Sequence, residues 1–338
     1  MRTHPSHRLA AVAAAAALAV ACAACGSSGT SSAGTGAAGA ASTGAASTGA
    51  AGSATGQPAG TSGFPATVNA VNGTVHVSSR PAAIVSLSAT ATEMLYAIGA
   101  GGQVKAVDST SNYPPQAPRT KLSGFAPNVE AIVAAKPDLV VISGNVSGLV
   151  KHLAAFSIPV LELPAPTTVA GAYAQFTELG QATGHLLQAQ REESSLRAQV
   201  AHIVAAEPRH RGLLTYYYEL DQTYFSVTSD TFIGKLLSLL GMKSIADAAR
   251  GAAAAGGYPK LSAEFILKAQ PDFVILADTL CCAQTAATVA KRPGWSTLTA
   301  VKTGRIVALS DDIASRWGPR IVDLLKRVAA AVAAGSGK

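Results

Sequence analysis

Charged side chains make up only 13% of this 338-residue chain and aromatic ones 5%. No run of Lys and Arg interleaved with aromatics occurs, so a nucleic-acid face is not expected. Four cysteines, two of them within the first 25 residues, are too few for a disulfide scaffold. The seven histidines (His4, His7, His76, His152, His185, His202 and His210) are scattered, and beyond the first 25 residues there is no His-x-His or Cys-x-x-Cys pair. A site for a bare zinc or manganese ion is therefore disfavoured. The stretch "GNVSG", Gly144–Gly148, lacks the spacing of a nucleophile elbow, and no His stands at a matching position, which argues against an exported α/β hydrolase.

One apolar run is present. After Arg2 and Arg8, Leu9–Ala24 is an uncharged Ala/Val/Leu/Cys stretch of 16 residues, short for a membrane span and suited to a secretory leader. It runs into small residues, a cysteine and then a polar stretch, which resembles a bacterial lipoprotein signal cleaved before a lipidated Cys. Cys25 is the expected lipid-bearing residue and Cys22 the second candidate. From Gly26 to Gly63 the chain is almost entirely Gly, Ala, Ser and Thr, with too little large apolar surface to offset the entropy of ordering it. A flexible tether of that length reaches roughly 30 to 40 Å. The expected organisation is a leader over 1–24, lipidated Cys and linker over 25–63, an N-terminal α/β lobe over 64–167, a bridging helix over 168–207 and a C-terminal α/β lobe over 208–338. Of 26 basic residues, Arg2 and Arg8 leave with the leader; the remaining 24 exceed 19 acidic ones by 5, a weak argument for anionic ligands or an anionic cell surface.

The folded part alternates strands and helices. "AIVSLS" (Ala83–Ser88) and "VKAVDS" (Val104–Ser109) read as strands around a helix "TATEMLYAIGAG" (Thr90–Gly101), opened by a Thr90/Glu93 capping box. "PVLELP" (Pro159–Pro164), "GLLTYYYEL" (Gly212–Leu220) and "RIVALS" (Arg305–Ser310) supply further strands, with helices at Thr231–Gly241 and from Pro319 to about Ala334. This βαβ order implies parallel sheets covered on both faces, in two lobes. Between them, apolar residues at Val169, Tyr173, Phe176, Leu179, Leu186, Leu196, Val200 and Ile203 follow a helical spacing, predicting one long helix; Gly171, Gly180 and Gly184 weaken it, and a break into two helices is the alternative.

One phrase occurs twice, 134 positions apart: "EAIVAAKPDLVVIS" (Glu130–Ser143) and "EFILKAQPDFVILA" (Glu264–Ala277), with six of fourteen positions identical. In each copy the Glu follows an N-cap residue, Asn128 or Ser262, by two positions and so stands in a first helical turn. Favourable interaction with the helix dipole is the local explanation, worth about 0.3 to 1 kcal/mol. A matched pair, one per lobe, also suits a symmetric basic partner.

These motifs, in the order "SNYPPQA", "EAIVAAKPDLVVIS", the central helical segment, "EFILKAQPDFVILA" and "DDIASRWGPR", make the region from about Phe64 to Ala334 resemble the substrate-binding proteins of ABC importers for iron complexes and vitamin B12. The resemblance implies two α/β lobes joined by a backbone helix, a shallow ligand cleft between them, and a monomeric, non-enzymatic protein held by a lipid anchor on the extracytoplasmic face of the membrane. Its ligand would be an iron or cobalt chelate, with no bound cofactor besides the lipid on Cys25. It also implies one glutamate per lobe docking on arginines of a dimeric permease, here Glu130 and Glu264. A surface-adhesion lipoprotein without a transport role is the alternative, but it leaves a cleft between matched lobes unexplained.

Open α/β sheets bind ligands outside the carboxyl ends of their strands. The ligand contacts are therefore expected from Tyr113, Phe125, Tyr218, Asp312 and Arg316, with Ser88–Thr92, Ser143–Asn145 and Asp278–Gln284 nearby. Asp312 and Arg316 match positions that contact the corrinoid in the B12-binding branch, and the Arg316 fork also suits a siderophore carboxylate or catecholate. Phe125 and Ser143 stand where that branch places tryptophans. Cys281 and Cys282, adjacent after a strand, are expected to be structural; a vicinal disulfide, free thiols and a ligand contact are the open alternatives.

Overall fold

The computed structural model describes residues 63–207 and 213–336. The leader, Cys22, Cys25 and the linker up to residue 62 lie outside them. The chain first forms an antiparallel hairpin, β1 (Ala66–Ala70) and β2 (Gly73–Val77), turning through Val71 and Asn72. Asn72 docks this hairpin on a sheet edge: its Nδ2 donates to the carbonyl of Val160 at 2.9 Å and its Oδ1 accepts the amide of Glu162 at 3.1 Å. An edge strand that would otherwise expose unpaired backbone is thereby covered.

The N-terminal lobe comprises β3 (Ile84–Leu87), α1 (Ala89–Ala97), β4 (Val104–Val107), α2 (Val129–Ala134), β5 (Leu139–Ile142), α3 (Leu149–Ala154) and β6 (Val160–Glu162). Its four strands are parallel, in the order β4-β3-β5-β6. Two helices follow, α4 (Val169–Thr183) and α5 (Leu186–Ala206). The C-terminal lobe comprises β7 (Leu214–Glu219), α6 (Phe232–Ser238), β8 (Met242–Ser244), α7 (Ala263–Ala269), β9 (Phe273–Leu276), α8 (Ala286–Ala290), α9 (Thr299–Lys302), β10 (Ile306–Ala308), α10 (Asp311–Ser315) and α11 (Ile321–Ser336). Its parallel order, β8-β7-β9-β10, repeats that of the first lobe. Every residue of β3, β5 and β9 is buried, as continuous apolar runs between two helical layers require.

The repeated phrase has a shared structural task. Its Pro ends α2 or α7, and the preceding Lys136 and Gln270 both take left-handed φ, 48° and 46°. The following Asp then pins the start of the central strand of its own sheet. Asp138 Oδ2 accepts the amides of Ala82 and Ala83 at 2.8 and 2.9 Å, and Asp272 Oδ2 accepts the amide and hydroxyl of Thr215, both at 2.8 Å.

Two expectations are corrected. The segment 168–207 is not one bridging helix but an antiparallel hairpin of α4 and α5, reversed at Gly184, whose φ of +77° makes it a left-handed C-cap. Thr177 bonds Glu193 at 3.0 Å and the Arg197 guanidinium lies 4.3 Å from the Tyr173 ring centre, so the two helices run side by side. A Cβ on Gly180 would come within 2.5 Å of the Ala189 Cβ, so the glycine permits the close crossing. Helix α1 is capped not by a Thr90/Glu93 box but by Ser88, whose Oγ accepts the Ala91 amide at 3.3 Å. Glu93 is thereby free for another role.

One hydrophobic core runs through both lobes. It includes Val68, Met94, Val141 and Leu161 from the first lobe, Phe176 and Leu196 from the helical hairpin, and Tyr216, Phe273 and Leu325 from the second. Two smaller clusters lie on the outer faces of the sheets, one around Val140 and Leu153, the other around Val274 and Trp295. The lobes therefore share packed side chains as well as a linker.

Candidate functional site

At the carboxyl ends of β3, β4 and β10 the two lobes face each other across a cleft of about 360 Å³. From the first lobe it is lined by Leu87–Thr90, Asp108, Thr110, Gly124 and Phe125; from the second by Asp311, Asp312, Ser315 and Arg316. A larger recess of about 580 Å³ lies along β2 and the β6 edge, but Asp138, the carboxylate in its lining, is already engaged by backbone amides. The interlobe cleft is where both sheets converge, and it is the candidate site.

Its floor is a charge cluster. Glu93, on α1 and fully buried, accepts from Arg316 at 2.7 Å and from two nitrogens of Arg320 at 2.5 and 2.9 Å. Arg316 also donates to Asn112 Oδ1 at 3.0 Å, to the Thr110 carbonyl at 2.9 Å and to Asp312 at 2.5 Å. Asn112 Nδ2 returns a bond to Asp312 at 2.7 Å, and the Arg320 guanidinium lies 4.3 Å from the ring centre of Tyr113. Trp317 adds a third tie, its indole N–H donating to Gln175 of α4 at 2.8 Å. Every one of these contacts except the Arg316–Asp312 pair joins separate parts of the fold, so the cluster clamps the lobes at the base of the cleft.

The expected ligand contacts separate into three groups. Phe125 is 69% exposed at the cleft rim, where an apolar ring is available to a ligand. Arg316 and Asp312 line the cleft, but Arg316 is buried and the hydrogens of its terminal nitrogens already meet protein acceptors; Tyr113 stands outside the lining, against Arg320. Tyr218 is a correction: it is fully buried, and its hydroxyl donates to the Ala314 carbonyl at 2.7 Å. It braces α10 from below, and burial pushes its hydroxyl pKa up. Strand alternation near a strand end does not tell core from cleft.

The turn after β9 is held by its neighbours. Asp311 accepts the amides of Leu280 and Cys281, both at 2.8 Å, and the Asp278 carbonyl accepts those of Cys282 and Gln284, both at 3.3 Å. Cys281 is exposed and both thiols are free, so no vicinal disulfide is formed and it is backbone bonding that fixes the turn. Although the residue is exposed overall, partial desolvation of its sulfur, assisted by Cys282 and the Asp311 carboxylate, pushes the Cys281 thiol up, away from reactive thiolate.

Beneath this turn lies a buried charge cluster whose pairing the sequence did not show. Glu219, fully buried at the end of β7, takes a two-pronged bond from Arg292, both contacts at 2.5 Å, and Arg292 donates also to Gln284 at 2.7 Å. Asp278, equally buried, has no hydrogen-bond donor on either carboxylate oxygen. Burial first, then the charge of Glu219, raise its pKa from 3.8 to about 7. The sequence signal was a Glu ending the apolar run "LLTYYYEL".

Glu130 and Glu264 stand exposed in the first turns of α2 and α7, as expected from their caps. Asn128 Oδ1 accepts the Ala131 amide at 2.7 Å and Ser262 Oγ the Phe265 amide at 3.1 Å. The two helices precede β5 and β9, which occupy the same place in their sheets.

Two parallel α/β lobes, a shared core and a cleft at the carboxyl edges of both sheets define a two-lobed solute-binding architecture. Residues 84–313 match the family model described as periplasmic binding protein, and the chain belongs to that family. Among similar proteins, a cobalamin-binding protein of Halobacterium salinarum is 32% identical over 276 residues, covering 79% of this chain and 73% of its own. An ABC transporter substrate-binding lipoprotein of Bacillus subtilis, YvrC, is 26% identical over 283 residues, covering 80% and 87%. A solved structure from Staphylococcus epidermidis ATCC 12228, described as a possible iron-binding, periplasmic solute-binding protein, superposes with a TM-score of 0.65 at 26% identity and covers 75% of this chain and 99% of its own.

Proposed function

We propose that this chain captures a metal chelate outside the cytoplasm and hands it to an ABC permease, catalysing no reaction itself. The observation that carries this reading is the cleft at the facing carboxyl edges of two parallel sheets, clamped at its base by Glu93, Arg316 and Arg320. Such a cleft presents a fixed surface to a ligand; the solved structure described as a possible iron-binding protein shares its architecture, and a sequence relative is named a cobalamin-binding protein. Phe125, exposed at the rim, offers its ring to the apolar face of the chelate. Glu130 and Glu264, one per lobe at equivalent positions, are the contacts to basic residues of a two-fold permease. Lobes 64–167 and 208–338 each supply one wall and one docking residue.

Binding tests the reading directly. Titration of the soluble protein with cobalamin and ferric chelates, followed by tryptophan fluorescence, should saturate, and Phe125→Ala should weaken the complex by about 1 to 2 kcal/mol, roughly 5- to 30-fold in Kd. An unchanged Kd would remove Phe125 from the site. The lipid anchor on Cys25, which lies outside the described residues, is tested separately. Cys25→Ala should release the protein from membranes into the medium, whereas release by Cys22→Ala in its place would move the modified residue to Cys22.

A further inference from the structure

We propose that the cleft selects a chelate without net negative charge, one whose periphery donates hydrogen bonds; this rests on the chelate-capture reading above. Asp108, Asp311 and Asp312 line the cleft, and Arg316 is the one cation among its described lining residues. Counting the buried pair beneath, Glu93 and Arg320, there are four carboxylates to two guanidiniums. The hydrogens on the two terminal nitrogens of Arg316 meet four acceptors: Glu93, Asn112, the Thr110 carbonyl and Asp312. Arg320 is turned to Glu93 and the Tyr113 ring. A ligand carboxylate entering here would find no free guanidinium fork, and it would meet an excess of like charge in a partly desolvated space.

Two positive contributions lie close by and do not reverse the sign. Arg119, exposed, donates to the carbonyls of Ser111 and Asn112 from outside the lining, which lowers the excess from two negative charges to one. The N-terminus of α1 at Ser88–Thr90 contributes at most about half a positive charge. The acidic groups meanwhile keep acceptor capacity. Asp311 receives one backbone amide on each oxygen, and Asp108 receives one hydroxyl on each, from Thr110 and Ser111, while a carboxylate can accept about four bonds. Ligand N–H groups are the natural complement, whether primary amides around a macrocycle or the ammonium and amide groups of a hydroxamate chelate. The net positive charge of the whole chain thus misdirects: the excess of Lys and Arg is not at the cleft.

The test is a four-ligand comparison on the soluble wild-type protein at fixed ionic strength. The ligands are cyanocobalamin, uncharged overall and fringed with amides; a cationic ferric trihydroxamate; haemin, with two propionates; and a ferric tris-catecholate trianion. At least one of the first pair should bind about 100-fold tighter than either of the second, since like charges brought together at an interface are strongly penalised. Asp312→Asn, which removes one negative charge and leaves Arg316 paired with Glu93, should narrow that gap about tenfold. Tighter binding of haemin or the catecholate than of both others overturns the charge selection while leaving chelate capture intact. Failure of all four to bind overturns chelate capture itself, and this inference with it.

Discussion

Glu93→Ala should cost about 3 to 5 kcal/mol of folding stability, the usual consequence of removing one partner from a buried ion pair. The loss is not of attraction alone. Arg316 and Arg320, with side chains 9% and 16% exposed, would be left charged and buried without their shared carboxylate, and no other acid in the cluster reaches both. For a folded region of this size each kcal/mol moves the Tm by about 2 to 4 °C, so thermal denaturation should show a fall of roughly 6 °C or more. A second variant separates charge burial from packing. Glu93→Leu combined with Arg316→Met and Arg320→Met removes all three charges together and should recover much of the loss, because a well-packed apolar substitute for a buried ion cluster is often neutral. Asp312 is 23% exposed and can be hydrated in that variant. A drop below about 1 kcal/mol for Glu93→Ala would place the cluster among ordinary surface pairs and remove it as the clamp between lobes.

That cluster marks the boundary of what the sequence makes legible. Local rules work where one segment decides the outcome. Apolar runs such as "DLVVIS" became strands buried on both faces, and Asn128 and Ser262 capped the helices they were expected to cap. The repeated phrase became an equivalent helix and strand in each lobe, α2 with β5 and α7 with β9. Even the missed hairpin was readable, since "ATVNAVNGTVHV" alternates apolar and polar residues on either side of a short turn at Val71 and Asn72. The reversal at Gly184 was harder: an amphipathic spacing continues through it, and only its left-handed φ distinguishes a hairpin from a kink. The site lies beyond such rules because its decisive partners are distant in sequence. Arg316 and Glu93 are 223 positions apart, and the arginine that read as free for a ligand is taken by a glutamate that read as half of a capping box. Tyr218 failed for a related reason. Position near a strand end placed it at the cleft, but its partner, the carbonyl of Ala314, lies 96 residues on and draws the hydroxyl inward.

Reversal of both docking candidates, Glu130→Lys with Glu264→Lys, should abolish import while leaving chelate affinity and Tm nearly unchanged. Both side chains are exposed, and none of the described ion pairs includes either of them. Each contributes to folding chiefly through its helix dipole, about 1 kcal/mol or less. Neither lines the cleft, so ligand contacts remain in place. At a permease surface the same change sets lysines against basic residues, where like charges in contact cost several kcal/mol and electrostatic steering is lost as well. One reversal leaves the other lobe's contact intact and should therefore impair uptake less than two. Uptake and affinity must be measured on the same variants. If the double variant imports its chelate normally, or loses uptake only in proportion to lost binding or folding, the two glutamates serve their helices alone, and the repeat records a shared strand-pinning Asp and nothing of the partner.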